Sequence, residues 1–600
     1  MSTLVRTLRG FAVPTFSAAR PDAALGPVTP GRRTLRVYFI RPSTYGDDGH
    51  VLHFRWGVIP SNTLPVLAGL AAGYARQRSD LCVQTVLWDE MVDPPLSVAL
   101  IDSIRGRAAT DGTQLLIGLA GVQTSQWPRA RDIALQCRAV GLPVVVGGFH
   151  VSSHAPSREF LASVGVTVVI GEAETLFDGL MDDAVHRRLR PSYAVTDGMR
   201  ARTGSGTVLV PAIAAAELPQ LDPRYLSRFF NPTLTTLDTS RGCPFTCSYC
   251  AVQQVMGRTV RARDPRRVVE WVRDAHDRHG IRTLFFVDDD LFRSPRWDEV
   301  LRGLARLRRE RRDLWFMMQA DIESAADAAD ATPRGRGRRF VDLAAEAGCY
   351  SVFIGFESLD PVNLAWTHKL HNAPQSDRHD PRSDTAAGDR LLGRYRGAVD
   401  AWHRAGVSVH AGYMLGLPFD TPGCGRRGAR ALADIGVDLA SFFVHTLLPG
   451  TEDYARAVAA GAITNHDFNE YDSMHYAGTH PVLAAREVEQ EFRDAFRAFY
   501  SARRLAWSVG TAHRVHGLHL AARLGIAVQH LYFGYAVRRG WHPLLGGLGR
   551  RHDRATRRAV VTDAEAVARY GALRRPRPYE GGDQGEVEFA QPHAPLVPPS

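Results

Sequence analysis

The sequence predicts an α/β protein in three parts: a doubly wound parallel sheet, then an incomplete six-unit (β/α) barrel, then a helical region. Three observations carry this. Short apolar runs alternate with helical stretches over about 34–190 and again over about 232–455, and such alternation builds parallel sheets. A chain of 600 residues is too long for one ordinary core. After about residue 455 the alternation stops and helical patterns dominate to about 570. The expected limits are a loose tail over 1–33, a first domain over 34–190, a linker over 191–231, a second domain over 232–455 and a helical domain over 456–570. Residues 571–600, rich in Pro, Gly and acid, are expected to be disordered.

In the first domain, strands are predicted at Leu35–Ile40, Val83–Trp88, Leu115–Leu119, Val144–Val146 and Val166–Ile170, with a helix over Leu64–Gln77. Ligands of a doubly wound sheet sit beyond the carboxyl ends of its strands. In the second domain, strands are predicted at Thr233–Asp238, Thr283–Val287, Leu314–Gln319, Ser351–Phe356, Val407–Leu415 and Leu439–His445. A helix near 265–279 has a cap at Asp264, Pro265 in its first turn and Gly280 at its end. Chemistry belongs at the carboxyl rim of such a barrel. Thr332–Arg339 and Asn372–Gly388 read as insertions.

Composition narrows the function. Hydrophobic content of 45% and charged content of 23% are those of a soluble globular protein. No apolar run approaches the length of a spanning helix, and residues 1–33 lack the continuous apolar core of a secretion signal, so a cytoplasmic protein is expected. The net charge of +10 comes from dispersed arginines; Lys369 is the only lysine. That is a codon-like bias rather than a nucleic-acid footprint, and no nucleic-acid partner is expected. Seven cysteines are too few for a disulfide scaffold. Cys82, Cys137, Cys349 and Cys424 stand alone and read as structural thiols.

The other three cysteines are bunched in Arg241-Gly242-Cys243-Pro244-Phe245-Thr246-Cys247-Ser248-Tyr249-Cys250, directly after the first predicted barrel strand. Iron–sulfur clusters take thiolate ligands, usually four. Three cysteines hold three irons of a cubane and leave the fourth open, as a catalytic metal site requires. Two readings follow: a 4Fe–4S cluster on Cys243, Cys247 and Cys250, or a zinc knuckle that recruits His276 or His279 in a basic nucleic-acid-binding protein.

This motif and its placement resemble the radical S-adenosylmethionine (SAM) superfamily over about 232–455. The resemblance implies that SAM chelates the open iron and is cleaved to a 5′-deoxyadenosyl radical. It assigns Tyr249 to the aromatic position beside adenine. Phe286-Val287-Asp288-Asp289-Asp290 resembles the second-strand segment of the subgroup with an N-terminal cobalamin domain, and departs from the Gly-Gly-Glu motif common elsewhere. Gly355-Phe356-Glu357-Ser358 matches the fourth-strand motif and Gly412-Tyr413-Met414-Leu415-Gly416-Leu417-Pro418 the fifth. The resemblance therefore implies SAM contacts at Asp288, Asp289, Glu357, Ser358 and Gly416.

The first domain resembles the Rossmann-like cobalamin-binding domain of that subgroup. Pro60-Ser61-Asn62-Thr63-Leu64 opens its first helix, Gln123-Thr124-Ser125 follows the third strand, Gly147-Gly148-Phe149-His150 the fourth and Gly171-Glu172-Ala173-Glu174 the fifth. The implied corrin contacts are Ser61, Asn62, Thr124, Gly147, Gly148, His150, Gly171 and Glu172. Asp48-Gly49-His50 begins like an axial-histidine motif, but His53 stands where that motif has Gly.

With both cofactors, the resemblance implies methyl transfer from methylcobalamin to an unactivated carbon. Radical cyclisation or rearrangement without methyl transfer is the alternative within the superfamily. Tyr45–His50, Ile59–Leu64, Phe353–Ser358 and Trp541-His542-Pro543-Leu544 are similar to the hopanoid C-2 methylases and their relatives, which implies a lipid or natural-product substrate. An external electron donor such as flavodoxin or ferredoxin is implied as well. Leu524–Val537 is apolar and followed by Arg538 and Arg539. It reads either as a core helix or as an interfacial one in peripheral contact with a membrane.

Overall fold

A computed structural model of the chain describes residues 20–23, 25–26, 28, 31–196, 198–203, 206–325, 336–378, 386–510, 520–558, 560, 562–563 and 565–566. The tail 571–600, most of the tail 1–33, residues 332–335 of the first insertion and 379–385 of the second lie outside them.

Two six-stranded parallel sheets organise the molecule. The first contains β1 (Arg33–Arg41), β2 (Leu81–Asp89), β3 (Gln114–Leu119), β4 (Val144–Gly147), β5 (Thr167–Ile170) and β6 (Ser192–Ala194). Their order is 2-1-3-4-5-6. It reverses at β1, which pairs in parallel with both β2 and β3, and this reversal opens a crevice at the carboxyl ends. Both faces are covered, so the strands bury apolar residues on both sides: Val37, Phe39, Leu116 and Val145 face one core and Tyr38, Ile40, Ile117 and Val144 the other. Helix α1 (Thr63–Arg76) and helix α2 (Phe177–Val185) lie on the first of these faces.

The second sheet contains β7 (Leu234–Leu237), β8 (Thr283–Phe286), β9 (Trp315–Gln319), β10 (Cys349–Glu357), β11 (Ser408–Leu415) and β12 (Leu439–Val444), neighbours in chain order. Each successive pair is parallel, as the expected partial barrel requires. Its first crossover helix, α3 (Pro265–His279), begins at Asp264, whose side chain accepts from the Arg266 N–H, and stops at Gly280 in the left-handed conformation.

The structure departs from the expected limits in three places. The segment 191–231 is more than a linker: β6 extends the first sheet, and Met199–Arg202 pairs with Thr207–Val210. Part of the expected loose tail is packed, since Asp22 is buried and accepts from the Tyr38 hydroxyl at 3.0 Å. The C-terminal region is helical in α4 (Ala485–Phe499) and α5 (Leu520–Arg538), but its strand Gly547–Arg551 runs back to the first domain and pairs antiparallel with His53–Gly57. Trp541 seals that return against Phe54, with ring centroids 5.2 Å apart.

Candidate functional site

The cysteine loop leaves the carboxyl end of β7. Its entry is held by a two-residue antiparallel bridge between Ser240–Arg241 and Arg261–Ala262. Gly242 has φ +92, and a Cβ there would stand 2.5 Å from the Thr259 carbonyl oxygen, so only glycine turns the chain into the loop. The Cys250 N–H donates to the Cys247 carbonyl (3.1 Å), and Gln253 Nε2 donates to the same oxygen (3.0 Å). The Ser248 N–H donates to the Thr367 carbonyl (3.1 Å), tying the loop to the segment after β10.

The three thiols have Lys369 as a nearby cation, which favours the charged form of Cys247 and Cys250 but does not offset burial. Burial first, and then neighbouring carboxylate and thiolate charge, raise Cys243; burial and the Cys247 thiolate push Cys250 up to about 12. Cys247 is buried and Cys243 and Cys250 are half-buried; thiolates gathered in such surroundings call for a cationic group, and iron would supply one. Among the described residues no three His, Cys, Asp or Glu side chains are set to hold a single metal ion. His276, considered above as a zinc ligand, bonds instead to Asp277 (2.8 Å) and Asp313 (3.0 Å).

Around the loop the barrel mouth is dense with charge. Asp288 accepts from the Thr239 N–H (3.0 Å) and from the Thr239 and Ser240 hydroxyls (2.7 and 2.6 Å). It thereby staples β8 to the base of the loop, and burial pushes its carboxyl up to about 6 despite these donors. Asp289 accepts from the Gly242 N–H (3.0 Å), and burial pushes it up to about 7. Glu357 ends β10 at a register shift and has φ +62, a backbone strain of a kind that gathers at functional sites. Its Oε1 accepts from Lys369 Nζ at 3.1 Å. Burial alone would lower the Lys369 ammonium, but Glu357 and the Cys247 thiolate hold it well above its usual range. Tyr249 is half-buried beside Glu357, Cys247 and Cys250. Lys369 was not among the residues singled out from sequence. Its standing as the only lysine was the available signal.

Ser358 and Gly416 serve the walls. The Ser358 hydroxyl accepts from the N–H (3.0 Å) of Asp360, whose own side chain caps the helix Pro361–Trp366 by accepting from the Val362 N–H. The Gly416 N–H donates to Asp420 (2.9 Å) below Tyr476 and Val488 of the C-terminal region.

A buried ion cluster joins the two sheets. Arg241 Nη1 contacts Glu172 (2.8 Å) and Glu174 (2.6 Å) of the first domain, and its Nε contacts Asp238 (2.9 Å). Arg263 adds a second contact to Asp238 at 3.0 Å, and Arg261 a second to Glu172 at 2.7 Å. Burial alone would raise the Asp238 carboxyl, but Arg241 and Arg263 hold it well below the usual carboxylate range.

Beside this cluster lies a cavity of about 1200 Å³, open solvent included, at the carboxyl ends of β1, β3, β4 and β5. Its walls are mostly carbon: Val37, Phe39, Leu116, Val145 and Val169 from the sheet, and Val66, Leu67 and Leu70 from α1. Arg241, Val255 and Met256, from the cysteine loop and the short helix after it, close one side. Asn62 reaches the cavity too; its Nδ2 donates to Asp238 (2.9 Å) and its Oδ1 is buried without a partner.

Of the residues expected to meet a corrin, Asn62, Gly147, Gly148, Gly171 and Glu172 line the cavity. Gly148 has φ +142, and a Cβ would stand 2.1 Å from the Val122 amide; its use is to let two loops touch. Ser61 donates its N–H to the Tyr225 hydroxyl (2.8 Å), and Thr124 lies buried in a short turn; neither lines the cavity. His150 is not brought there. It stacks on Trp127 (centroids 5.0 Å apart), bonds Ser157 through Nε2 (2.9 Å), and burial holds it far below the usual histidine range. His50 bonds the Asp553 carbonyl (3.3 Å) near the returning C-terminal strand.

Comparison with known proteins agrees with this geometry. The radical SAM superfamily pattern matches residues 237–424, which favours the iron–sulfur reading over zinc. Over 481 residues the chain is 22% identical to bacteriochlorophyllide d C-8(2)-methyltransferase of Chlorobaculum tepidum, covering 76% of this chain and 96% of that protein. Over 394 residues it is 25% identical to hopanoid C-2 methylase of Rhodopseudomonas palustris, covering 65% of this chain and 66% of that one, just under two thirds. The solved structure of the radical SAM methyltransferase TsrM from Kitasatospora setae, with cobalamin and a [4Fe-4S] cluster bound, superposes with a TM-score of 0.52 at 15% identity. It covers 83% of this chain and 99% of that one, and shows that the fold is shared.

Proposed function

We propose that the chain is a cobalamin-dependent C-methyltransferase acting on an unactivated carbon of a lipid or natural-product substrate, a reading supported by the radical SAM superfamily pattern over residues 237–424. The observation that carries the reading is the shared wall. Arg241 lies two residues before Cys243 and also lines the apolar cavity of the first domain, so the cysteine loop and the cavity adjoin. When bound, a 4Fe–4S cluster supplies the electron that cleaves SAM, and cobalamin supplies the methyl group.

The chain's own residues do the positioning. Cys243, Cys247 and Cys250 would hold three irons. Glu357 and Asp289 offer acceptors for the amino and hydroxyl groups of SAM, and Lys369 offers a cation for its carboxylate. The carbon-lined cavity, with Gly147 and Gly148 on its rim and Asn62 Oδ1 free to accept, suits a bulky, largely apolar corrin edge that carries amides. Closing the ion cluster around Arg241 keeps water from the space between the two sites and fixes their separation. The electron would come from an external donor such as flavodoxin or ferredoxin.

Anaerobic reconstitution with iron, sulfide and hydroxocobalamin tests this. About four irons per chain, and a corrin spectrum that survives gel filtration, are expected. With SAM labelled in its methyl group, label should appear in a lipid or natural-product acceptor. Iron without retained corrin would remove the methyl-transfer reading. An unlabelled, rearranged product would replace it with radical isomerisation.

A further inference from the structure

From Ala495 to His552 the chain carries nine arginines and no Asp or Glu, in a protein whose acids are otherwise spread throughout. Helix α5 lies in this segment. One of its faces is fixed to the barrel: Phe533 packs on His410 and Tyr500, and His530 Nε2 bonds the Asp438 carbonyl at 3.0 Å. The other face is exposed among the described residues. Val528, Leu531 and Tyr535 are 53%, 61% and 40% exposed. At helical spacing they form one narrow stripe. Arg538 follows Leu531 by two turns and Arg539 follows Tyr535 by one, so the stripe ends in guanidinium groups. Arg538 also shares a cleft with Arg493 and Arg497 over Phe496 and Tyr500. The latter two arginines lean on Glu489 (3.9 Å) and Asp494 (3.3 Å).

We propose that α5 docks the protein on an anionic lipid surface. An apolar stripe enters the acyl boundary while the arginines at its end meet headgroup phosphates. Among the described residues no helix is long and apolar enough to cross a membrane, so the contact is peripheral. A nucleic acid would use the arginines but leave the apolar stripe in water; a bilayer uses both. The proposal goes beyond the methylation reading and does not depend on it, because vesicle binding needs neither cofactor nor substrate.

The test is sedimentation of the full chain with vesicles of phosphatidylcholine alone or mixed with phosphatidylglycerol, at low and high salt. Binding to the anionic vesicles at least about tenfold above the neutral ones, weakening with salt, is expected. Leu531→Glu/Tyr535→Glu should lose binding to both with an unchanged circular dichroism spectrum. Arg538→Glu/Arg539→Glu should lose only the preference for anionic vesicles. No binding to anionic vesicles overturns the proposal, as does equal binding by the Leu531→Glu/Tyr535→Glu variant. RNA binding that outcompetes vesicles and ignores that variant would assign the surface to nucleic acid instead.

Discussion

The cavity of the first domain and the mouth of the barrel are neighbours built on opposite principles. The cavity is lined by Val37, Phe39, Leu116, Val145 and Val169, with Asn62 and Gln123 among its few polar groups. The barrel mouth crowds Cys243, Cys247, Cys250, Asp288, Asp289, Glu357 and Lys369 together, Cys247 and Asp288 buried and the others half-buried. Apolar walls select by shape and area and ask little of electrostatics. Buried charges are costly alone, so a site made of them is poised for charged ligands that complete the balance. The two are separated by the Arg241 cluster, which belongs to both domains.

Substitutions should therefore divide the two sites cleanly. The largest effect is expected from Cys250→Ala. Iron should fall from about four per chain to below about one, with SAM cleavage lost and corrin retention kept; loss of both cofactors together would mean that the sites are not independent. Next is Arg241→Ala, which leaves Glu174 without its ion-pair partner and takes one of two guanidinium contacts from each of Glu172 and Asp238. Breaking a buried pair costs about 3–5 kcal/mol, so thermal or denaturant unfolding should shift strongly and both cofactors should bind less well. A change below about 1 kcal/mol would mean that water replaces the guanidinium.

Gly118→Val sharpens the comparison from the cavity side. A Cβ at Gly118 meets only Phe39 and the Tyr38 carbonyl at ordinary contact distance, so the fold should tolerate it while the cavity narrows. Corrin retention on gel filtration should weaken about tenfold, with iron content unchanged. Lys369→Met addresses the mouth. Iron should remain, SAM should bind about tenfold more weakly, and the midpoint potential of the cluster should fall by roughly 50 mV as a positive charge is lost. An unchanged potential and affinity would make Lys369 a structural partner of Glu357 only.

The smallest effect is a pH dependence. Burial alone would lower His475, but its hydrogen bonds to Asp472, with Asp47 of the first domain behind, raise it to about 9. A histidine raised in the folded state stabilises fully below the unfolded value of about 6.5. That stabilisation is lost as pH climbs through about 9. The expected loss is on the order of 1–2 kcal/mol, read from denaturant midpoints at pH 6 and pH 9.5, and Asp472→Asn should abolish it.

The cysteine loop at the end of β7 and the strand–helix alternation of both sheets were legible in the sequence. The reason is that both are local: a three-thiolate loop needs close spacing along the chain, and periodicity is written residue by residue. The strands fell within a few residues of their expected ends, as Leu35–Ile40 inside β1 and Val407–Leu415 around β11 show. What tertiary structure decided is non-local. Glu357 meets Lys369 only because the turn after the helix Pro361–Trp366 folds back, with His368 at φ +56. Arg241 meets Glu172 and Glu174 across a domain boundary. His150 sits in an attractive motif yet turns into the core against Trp127. The strand Gly547–Arg551 pairs with His53–Gly57 from the far end of the chain. A single sequence records which residues are present and how they are spaced; the cost of burying a charge or an unpaired strand edge is met only when distant segments arrive together, and that is a property of the folded chain.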